Sequence, residues 1–444
     1  MSTSARADRH VACAALALAA AGCLSIPDAR DDFPVFPLDI ADNQIYFGAL
    51  GADVNDDGAA DLVLPNMSDE RDDRGVFVLL GPFLPDVEPV LHAFIRTGVA
   101  PRALAVADVL GEDGDDLEIL VAGEDVGNQM GIEIYAFQGD AISSDALADV
   151  LENALYADTP EVVASGGFQI MNPDAPITIS VGDIDGDGNA DDVVVTDLFN
   201  LRVLIDLEDS PQTIEPQGGG AWNGIQTVQV RQRPDALEDD LVVVTSDGVH
   251  WLANDGGTLV DSVFAAGDQQ YFSAGFADLD GRSEESCQLP GGSDGDDCGR
   301  LDVVGLGSTS ISGFTLDDSS PLPVIAPLMY LGNPSLPSVE LFDGIVASEF
   351  TFEEGLPDVL LLDAPDALSP VSRVISLDDI QVQPPHISPA TVAVTPLPFE
   401  PRTLAIADFN ADEGGFEIIV VSQGGELHCL RHTGNVGQPL VECD

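Results

Sequence analysis

Apolar and polar positions alternate along this chain in short blocks: an apolar run, a turn rich in Asp, Asn and Gly, and a second run of Val, Ile and Leu. Runs of β-branched and aliphatic residues bounded by such turns predict strands paired through tight connections. The clearest copies are FGALGADVNDDGAADLVLPN from Phe47 and ITISVGDIDGDGNADDVVVTD from Ile177. Others are RALAVADVLGEDGDDLEILVAG from Arg102, FSAGFADLDG from Phe272 and RTLAIADFNADEGGFEIIVVSQGG from Arg402. Two degraded copies, VQVRQRPDALEDDLVVVTSDG from Val228 and GIVASEFTFEEGLPDVLLLDA from Gly344, fill the longest gaps and bring the total to seven. Glycine-bounded segments starting at Gly75, Gly131 and Gly248 supply third strands. The exception is residues 142–155, where Ile142, Leu147, Val150, Leu151 and Leu155 follow a helix-like spacing and predict a short helix.

Composition agrees with many strands punctuated by turns: 444 residues contain 44 Gly and 30 Pro, with 45% hydrophobic residues, so the chain is long and apolar enough to fold. Charge narrows the partners. Against 78 acidic residues stand 15 basic ones, all Arg, for a formal net charge of -63. Such a polyanion repels phosphate backbones and anionic lipid headgroups, which excludes nucleic acid and a polybasic membrane contact and favours divalent cations. A saline habitat or a genome bias is the alternative source of the acidity. Without Lys there is no Schiff-base or Walker-type lysine chemistry.

At the N-terminus, Arg6, Arg9 and His10 precede an apolar stretch, residues 11–21, too short to span a bilayer and suited to the centre of a signal peptide. It closes on Ala20-Ala21-Gly22-Cys23, which resembles the lipobox of bacterial lipoproteins with Ala20 in place of the usual Leu. The resemblance implies a signal peptide over 1–22, lipidation at Cys23, a tether over 23–37 and a folded body over 38–444, anchored to the bacterial envelope at the outer membrane or cell surface. An ordinary signal peptide with an incidental Cys is the other reading. Cys13 falls in the apolar stretch, leaving Cys287, Cys298, Cys429 and Cys443. The simplest pairing in an oxidising compartment is Cys287 with Cys298 and Cys429 with Cys443, although four Cys allow three connectivities.

The turns suggest metal chemistry. In Asp53-x-Asn55-x-Asp57-Gly58-x-x-Asp61 and Asp183-x-Asp185-x-Asp187-Gly188-x-x-Asp191, oxygen ligands alternate while Gly lets the backbone fold back. Hard cations that take six to eight oxygens need that wrapping, and calcium suits it better than magnesium. Several carboxylates in one turn otherwise repel each other; a plain acidic turn is the alternative. The flanks are β-like and no closing Glu stands at the twelfth position, so these are not EF-hands.

With their flanks, the turns resemble the FG-GAP and VCBS repeats of integrin-α-like β-propellers, from Phe47 to the C-terminus. The resemblance implies an all-β fold, a β-propeller of about seven blades, whose acidic loops join the first two strands of a blade and hold calcium. Three copies depart from the pattern. Asp408, Asn410 and Asp412 match, but the closing acid is Glu417, one residue late; Asp108 is separated by extra residues from Asp113, with Glu118 closing; and Asp278 and Asp280 are followed by a Cys-bounded insert before Asp302. These three leave metal binding open, and the copies around Asp240 and Asp358 are read as metal-free.

The spacing of the leading acids, Asp53, Asp108, Asp183, Asp278 and Asp408, fits four-stranded blades once the degraded copies are included. Stacked face to face in a ring, such sheets bury a continuous core that one alone cannot. Residues 33–45 are expected to add an outer strand to the last blade and close the ring. The chain has no nucleophile elbow, His-Glu-x-x-His, Walker loop or dinucleotide fingerprint. His428 and His432 are expected at the surface, and Trp222 and Trp251 either line a carbohydrate pocket or serve as core. The reading is a monomeric, non-catalytic, calcium-stabilised cell-surface scaffold for adhesion to an extracellular protein or glycan. The rival is a polysaccharide lyase or hydrolase built on the same fold.

Overall fold

The computed structural model describes residues 36–37, 48–54, 58–66, 74–81, 83, 92–97, 99–109, 117–124, 129–136, 161–169, 177–205, 212–231, 238–266, 271–277, 302–307, 311–317, 324–330, 341–347, 358–363, 371–383, 386–409, 416–422, 426–432 and 438–443. Among them the regular structure is β, and no helix is long and apolar enough to cross a membrane. The predicted helix at 142–155 lies outside the described residues.

After β1 (Phe36–Pro37), the chain runs as successive meanders, within each of which the strands pair antiparallel in chain order. The first contains β2 (Leu50–Ala52), β3 (Asp61–Asn66), β4 (Gly75–Leu79) and β5 (His92–Arg96); the second β6 (Ala100–Ala107), β7 (Glu118–Glu124), β8 (Gln129–Ala136) and β9 (Glu161–Gln169). The third contains β10 (Thr178–Gly182), β11 (Asp192–Thr196), β12 (Leu201–Leu204) and β13 (Gln212–Ile214); the fourth β14 (Ile225–Arg231), β15 (Asp240–Thr245), β16 (Gly248–Asn254) and β17 (Leu259–Ala266). The fifth contains β18 (Tyr271–Ala277), β19 (Asp302–Gly307), β20 (Ile311–Asp317) and β21 (Val324–Tyr330); the sixth β22 (Leu341–Ala347), β23 (Asp358–Asp363), β24 (Arg373–Gln383) and β25 (His386–Pro396). The last contains β26 (Pro401–Ala407), β27 (Glu417–Ser422), β28 (Glu426–Arg431) and β29 (Val441–Glu442).

The second strands explain how the meanders stack. They are buried along their whole length in the first, third, fourth and last meanders, as strands covered on both faces must be. Successive side chains point to opposite faces, so each strand serves two neighbours. Val193 and Val195 pack with Leu120 and Ala122 of the preceding meander, while Val194 packs with Val228 and Leu241 of the following one. Leu62 and Leu64 join a cluster with Ile419 and Val421 of the last meander, while Val63 joins Ile119 and Val121 of the second. The first and last meanders therefore share a core, and β26 lies against β2. That approach requires glycine at position 51, where a Cβ would fall 2.6 Å from the Ala407 Cβ.

β28 is covered on its outer edge by β1 and β29. β1 pairs through Phe36↔Leu427 and Pro37↔Glu426, and β29 through Leu430↔Glu442 and Arg431↔Val441. β1 occupies the last two positions of the segment read as a tether. The disulfide Cys429–Cys443 links β28 to the residue after β29. The expectation for the two late histidines is corrected: His428, stacked on Phe399, is 4% exposed and His432 7%. Both tryptophans are core, with Trp222 3% and Trp251 1% exposed.

Candidate metal centre

The acidic turns have a common frame. In the first, second, third and last meanders the leading acid, Asp53, Asp108, Asp183 or Asp408, directly follows the end of the first strand. In all seven meanders the second strand begins with an acid: Asp61, Glu118, Asp192, Asp240, Asp302, Asp358 or Glu417. Each stands opposite the last residue of the first strand, as in Ala52↔Asp61, Gly182↔Asp192 and Ala407↔Glu417.

These opening acids are anchors for the turn. The carboxylate of Asp61 accepts the Val54 N–H at 3.0 Å, that of Glu118 the Val109 N–H at 2.8 Å, and that of Glu417 the Phe409 N–H at 2.9 Å. Asp192 accepts two, from Ile184 N at 2.6 Å and Asp185 N at 2.9 Å. The donor each time includes the residue just after the leading acid, so one buried carboxylate satisfies backbone that has left the ladder. Asp61 also accepts the Gly81 N–H at 2.8 Å. In the degraded fourth copy Asp240 keeps the position and serves the Trp251 indole N–H at 2.9 Å and the Asn254 N–H at 2.7 Å.

In the third turn the carboxylates converge. Asp183, Asp185 and Asp192 each place a carboxylate oxygen within 4.8 Å of the others, the metal-capable group among the described residues. The leading Asp183 is fixed by the backbone it folds, accepting the Gly186 N–H at 2.7 Å and the Gly188 N–H at 2.9 Å. Gly186 and Gly188 have φ of 80° and 96°, the left-handed conformation that lets so short a segment reverse. Two of the four acids expected here are not in the group. Asp187 is exposed and turns to Asn189, accepting its backbone N–H at 2.8 Å and its side-chain amide at 3.0 Å. Asp191 is displaced by its neighbour, because this turn is one residue longer than the first and Asp192 takes the place that Asp61 has there.

Three clustered carboxylates are an oxygen-donor set for a hard cation. At separations up to 4.8 Å, two ionised carboxylates repel by about 3.5 kcal/mol or more at an effective dielectric near 20. A divalent cation would reverse that sign, so the donor set fits calcium. Of the other expected ligands, Asp53 accepts the Gly58 N–H at 2.8 Å, the same contact that Asp183 makes with Gly188. Asn55, Asp57, Asn410, Asp412, Asp113, Asp278 and Asp280 lie outside the described residues, as do Cys23, Cys287 and Cys298. Asp302 opens β19 opposite Ala277.

One acid beside the group has no counterpart in the sequence reading. Asp239, just before β15, accepts the Asp183 N–H at 2.9 Å and donates its own N–H to the Asp183 carbonyl at 2.7 Å. Asn254 braces the junction, its amide donating to the carbonyls of Ile184 at 2.6 Å and Asp239 at 2.9 Å. Gly182 must be glycine here, since a Cβ would meet Val230 at 2.2 Å and the Asp239 carboxylate at 2.8 Å. Burial, together with the charges of Asp183, Asp240 and Asp192, pushes the Asp239 carboxyl up to about 6. The native state thus holds a proton that the unfolded chain releases from 3.8 upward, and this group's contribution to stability falls as pH rises from about 4 to 6. In EDTA at pH 7.5, Asp239→Asn is expected to gain about 2 kcal/mol in urea unfolding, a gain that vanishes near pH 4.

No protein-family model matches the sequence, and no curated protein matches it. Solved structures do resemble the fold. BBS1N, crystallised in complex with ARL6DN, superposes with a TM-score of 0.50 at 11% identity, covering 91% of this chain and 98% of its own. A lectin from Burkholderia pseudomallei superposes with a TM-score of 0.50 at 12% identity, covering 89% of this chain and 97% of its own. Both neighbours are β-propellers, and at this identity the likeness concerns the fold alone: the chain has a β-propeller fold.

Proposed function

We propose that the protein is a seven-bladed β-propeller of the FG-GAP/VCBS kind, stabilised by calcium at its acidic turns, that serves as a non-catalytic binding scaffold for an extracellular protein or glycan. The convergence of Asp183, Asp185 and Asp192 supports the calcium reading most directly. The blade count rests on the seven repeated pairs of first and second strands and on the contact of β26 with β2. For binding, the support is a fold shared with a lectin and with a protein crystallised with a partner. Export and a lipid anchor at Cys23 rest on the N-terminal sequence.

Extracellular calcium modules bind with Kd around 10⁻⁴ to 10⁻³ M, so each filled site is worth on the order of 1 kcal/mol at millimolar calcium. Thermal unfolding of the soluble chain from residue 24 should shift upward by several degrees between EDTA and 5 mM calcium, about the shift such energies give a chain of this size. An unchanged Tm would refute the calcium reading. Screening the calcium-loaded protein against glycans and envelope extracts tests the scaffold, and turnover of a polysaccharide would replace it with an enzyme.

A further inference from the structure

A polar and aromatic cluster separate from the acidic turn is built from β16, β17 and the segment that joins β13 to β14. His250 on β16 stands directly opposite Phe264 on β17. Their rings lie 4.5 Å apart at 35°, and Trp222 closes the other side of the imidazole edge-on at 5.0 Å. Behind them Asp261, 6% exposed, lies 3.2 and 3.3 Å from His250 Nδ1 and accepts the Gln217 N–H at 2.7 Å from the preceding meander's last loop. Nδ1 faces the Asp261 carboxylate, which turns Nε2 away from this brace; among the described residues nothing bonds to Nε2. A carboxylate that fixes the tautomer and plane of an imidazole is the arrangement proteins use to present the other nitrogen to a ligand.

Beside this oriented nitrogen the exposed surface is aromatic. Phe264 is 46% exposed, one of the four large apolar side chains exposed among the described residues, whereas Val260, paired with Ala253, points to the opposite face. The Trp222 indole N–H is committed to the Ile214 carbonyl at 2.8 Å, and the tryptophan is buried, so it walls the cluster without offering a donor. An apolar platform with one placed polar group is the make-up of a small-ligand subsite. The net charge of -63 disfavours an anion. A cation would need a free carboxylate, and Asp261 is buried and already shared between two partners. A neutral ring with an apolar C–H face and hydroxyls satisfies both halves.

We propose that His250 and Phe264, braced by Asp261, form a subsite for a neutral sugar at the seam of the third and fourth meanders. A sugar hydroxyl, able to donate or accept, pairs with His250 Nε2 while the sugar's C–H face covers Phe264. This deepens the scaffold reading and depends on it. The test measures binding of glucose, galactose, mannose and N-acetylglucosamine to the whole calcium-loaded protein by saturation-transfer NMR and calorimetry, with Phe264→Ala, His250→Ala and, as a control, Val394→Ala. Val394, 37% exposed, lies on β25, away from the cluster. Expected is binding of at least one sugar that Phe264→Ala and His250→Ala each weaken about tenfold or more, with Tm and the calcium shift kept and Val394→Ala unchanged. Sugar binding unaffected by either site variant would overturn the subsite while leaving the scaffold standing. No binding of any neutral sugar, or binding of cationic ligands only, would also overturn it, and a protein partner recovered from envelope extract would then preserve the scaffold alone.

Discussion

Asp192→Ala should lower stability by about 3 kcal/mol in EDTA and abolish the calcium shift, whereas Asp192→Asn should cost little in EDTA and still reduce it. The difference separates the two tasks of one side chain. Asp192 is fully buried and accepts the N–H groups of Ile184 and Asp185. Alanine leaves both donors without an acceptor in a place water does not reach, at about 1–3 kcal/mol each, less some relief of repulsion with Asp183 and Asp239. Asparagine keeps an acceptor oxygen for the turn but removes one of the three negative charges that attract a cation. Asp187→Ala supplies the contrast: its carboxylate is exposed and bonds only Asn189 among the described residues, so the calcium shift should survive. Urea unfolding with and without calcium measures all three, and an Asp187→Ala protein that loses its calcium response would show that the bound ion draws that side chain into the group.

The repeated strand pairs and the placement of the leading acids were legible in the sequence, because period-two apolar runs and Asp-Gly turns are local signals. Tight Gly-bounded segments at Gly75 and Gly248 likewise begin β4 and β16. What misled was register. Asp191 and Asp192 are adjacent, and motif spacing measured from Asp183 selects the first, whereas the ladder Gly182↔Asp192 selects the second. The same applies to Glu417, one residue late by the motif and in register with Asp192 by the ladder. A better local rule is available: in all seven meanders the acid directly preceding the second apolar run opens the strand. Asp239 was out of reach, since its role comes from lying against Asp183 across two meanders. So was the parallel pairing of β21 with β25 through Met329↔His386 and Tyr330↔Ile387, which merges the fifth and sixth meanders into one eight-stranded sheet. No local pattern distinguishes these outer strands from others.

Between pH 7 and pH 4 the wild type should lose up to about 3 kcal/mol more stability than His428→Phe. His428 lies buried on β28, stacked on Phe399 with ring centroids 3.6 Å apart and planes 10° from parallel. Burial pushes its imidazole down to about 4 from the ordinary 6.5. Once pH falls below 6.5 the unfolded chain takes up a proton that the native state refuses until about 4, so unfolding gains across that window. Phenylalanine preserves the stack and cannot titrate, which makes its difference from wild type a direct reading of this one group. Asp239 acts with the opposite sign over an overlapping range, gaining stability as pH falls from 6 towards 4. The two sit in the fourth and last meanders, which share no core cluster, so their effects should add, and a His428→Phe/Asp239→Asn double variant in EDTA should show the sum of the two single pH-dependent differences. Parallel unfolding curves for wild type and His428→Phe from pH 7 to 4 would mean that β28 opens enough for His428 to be protonated without unfolding.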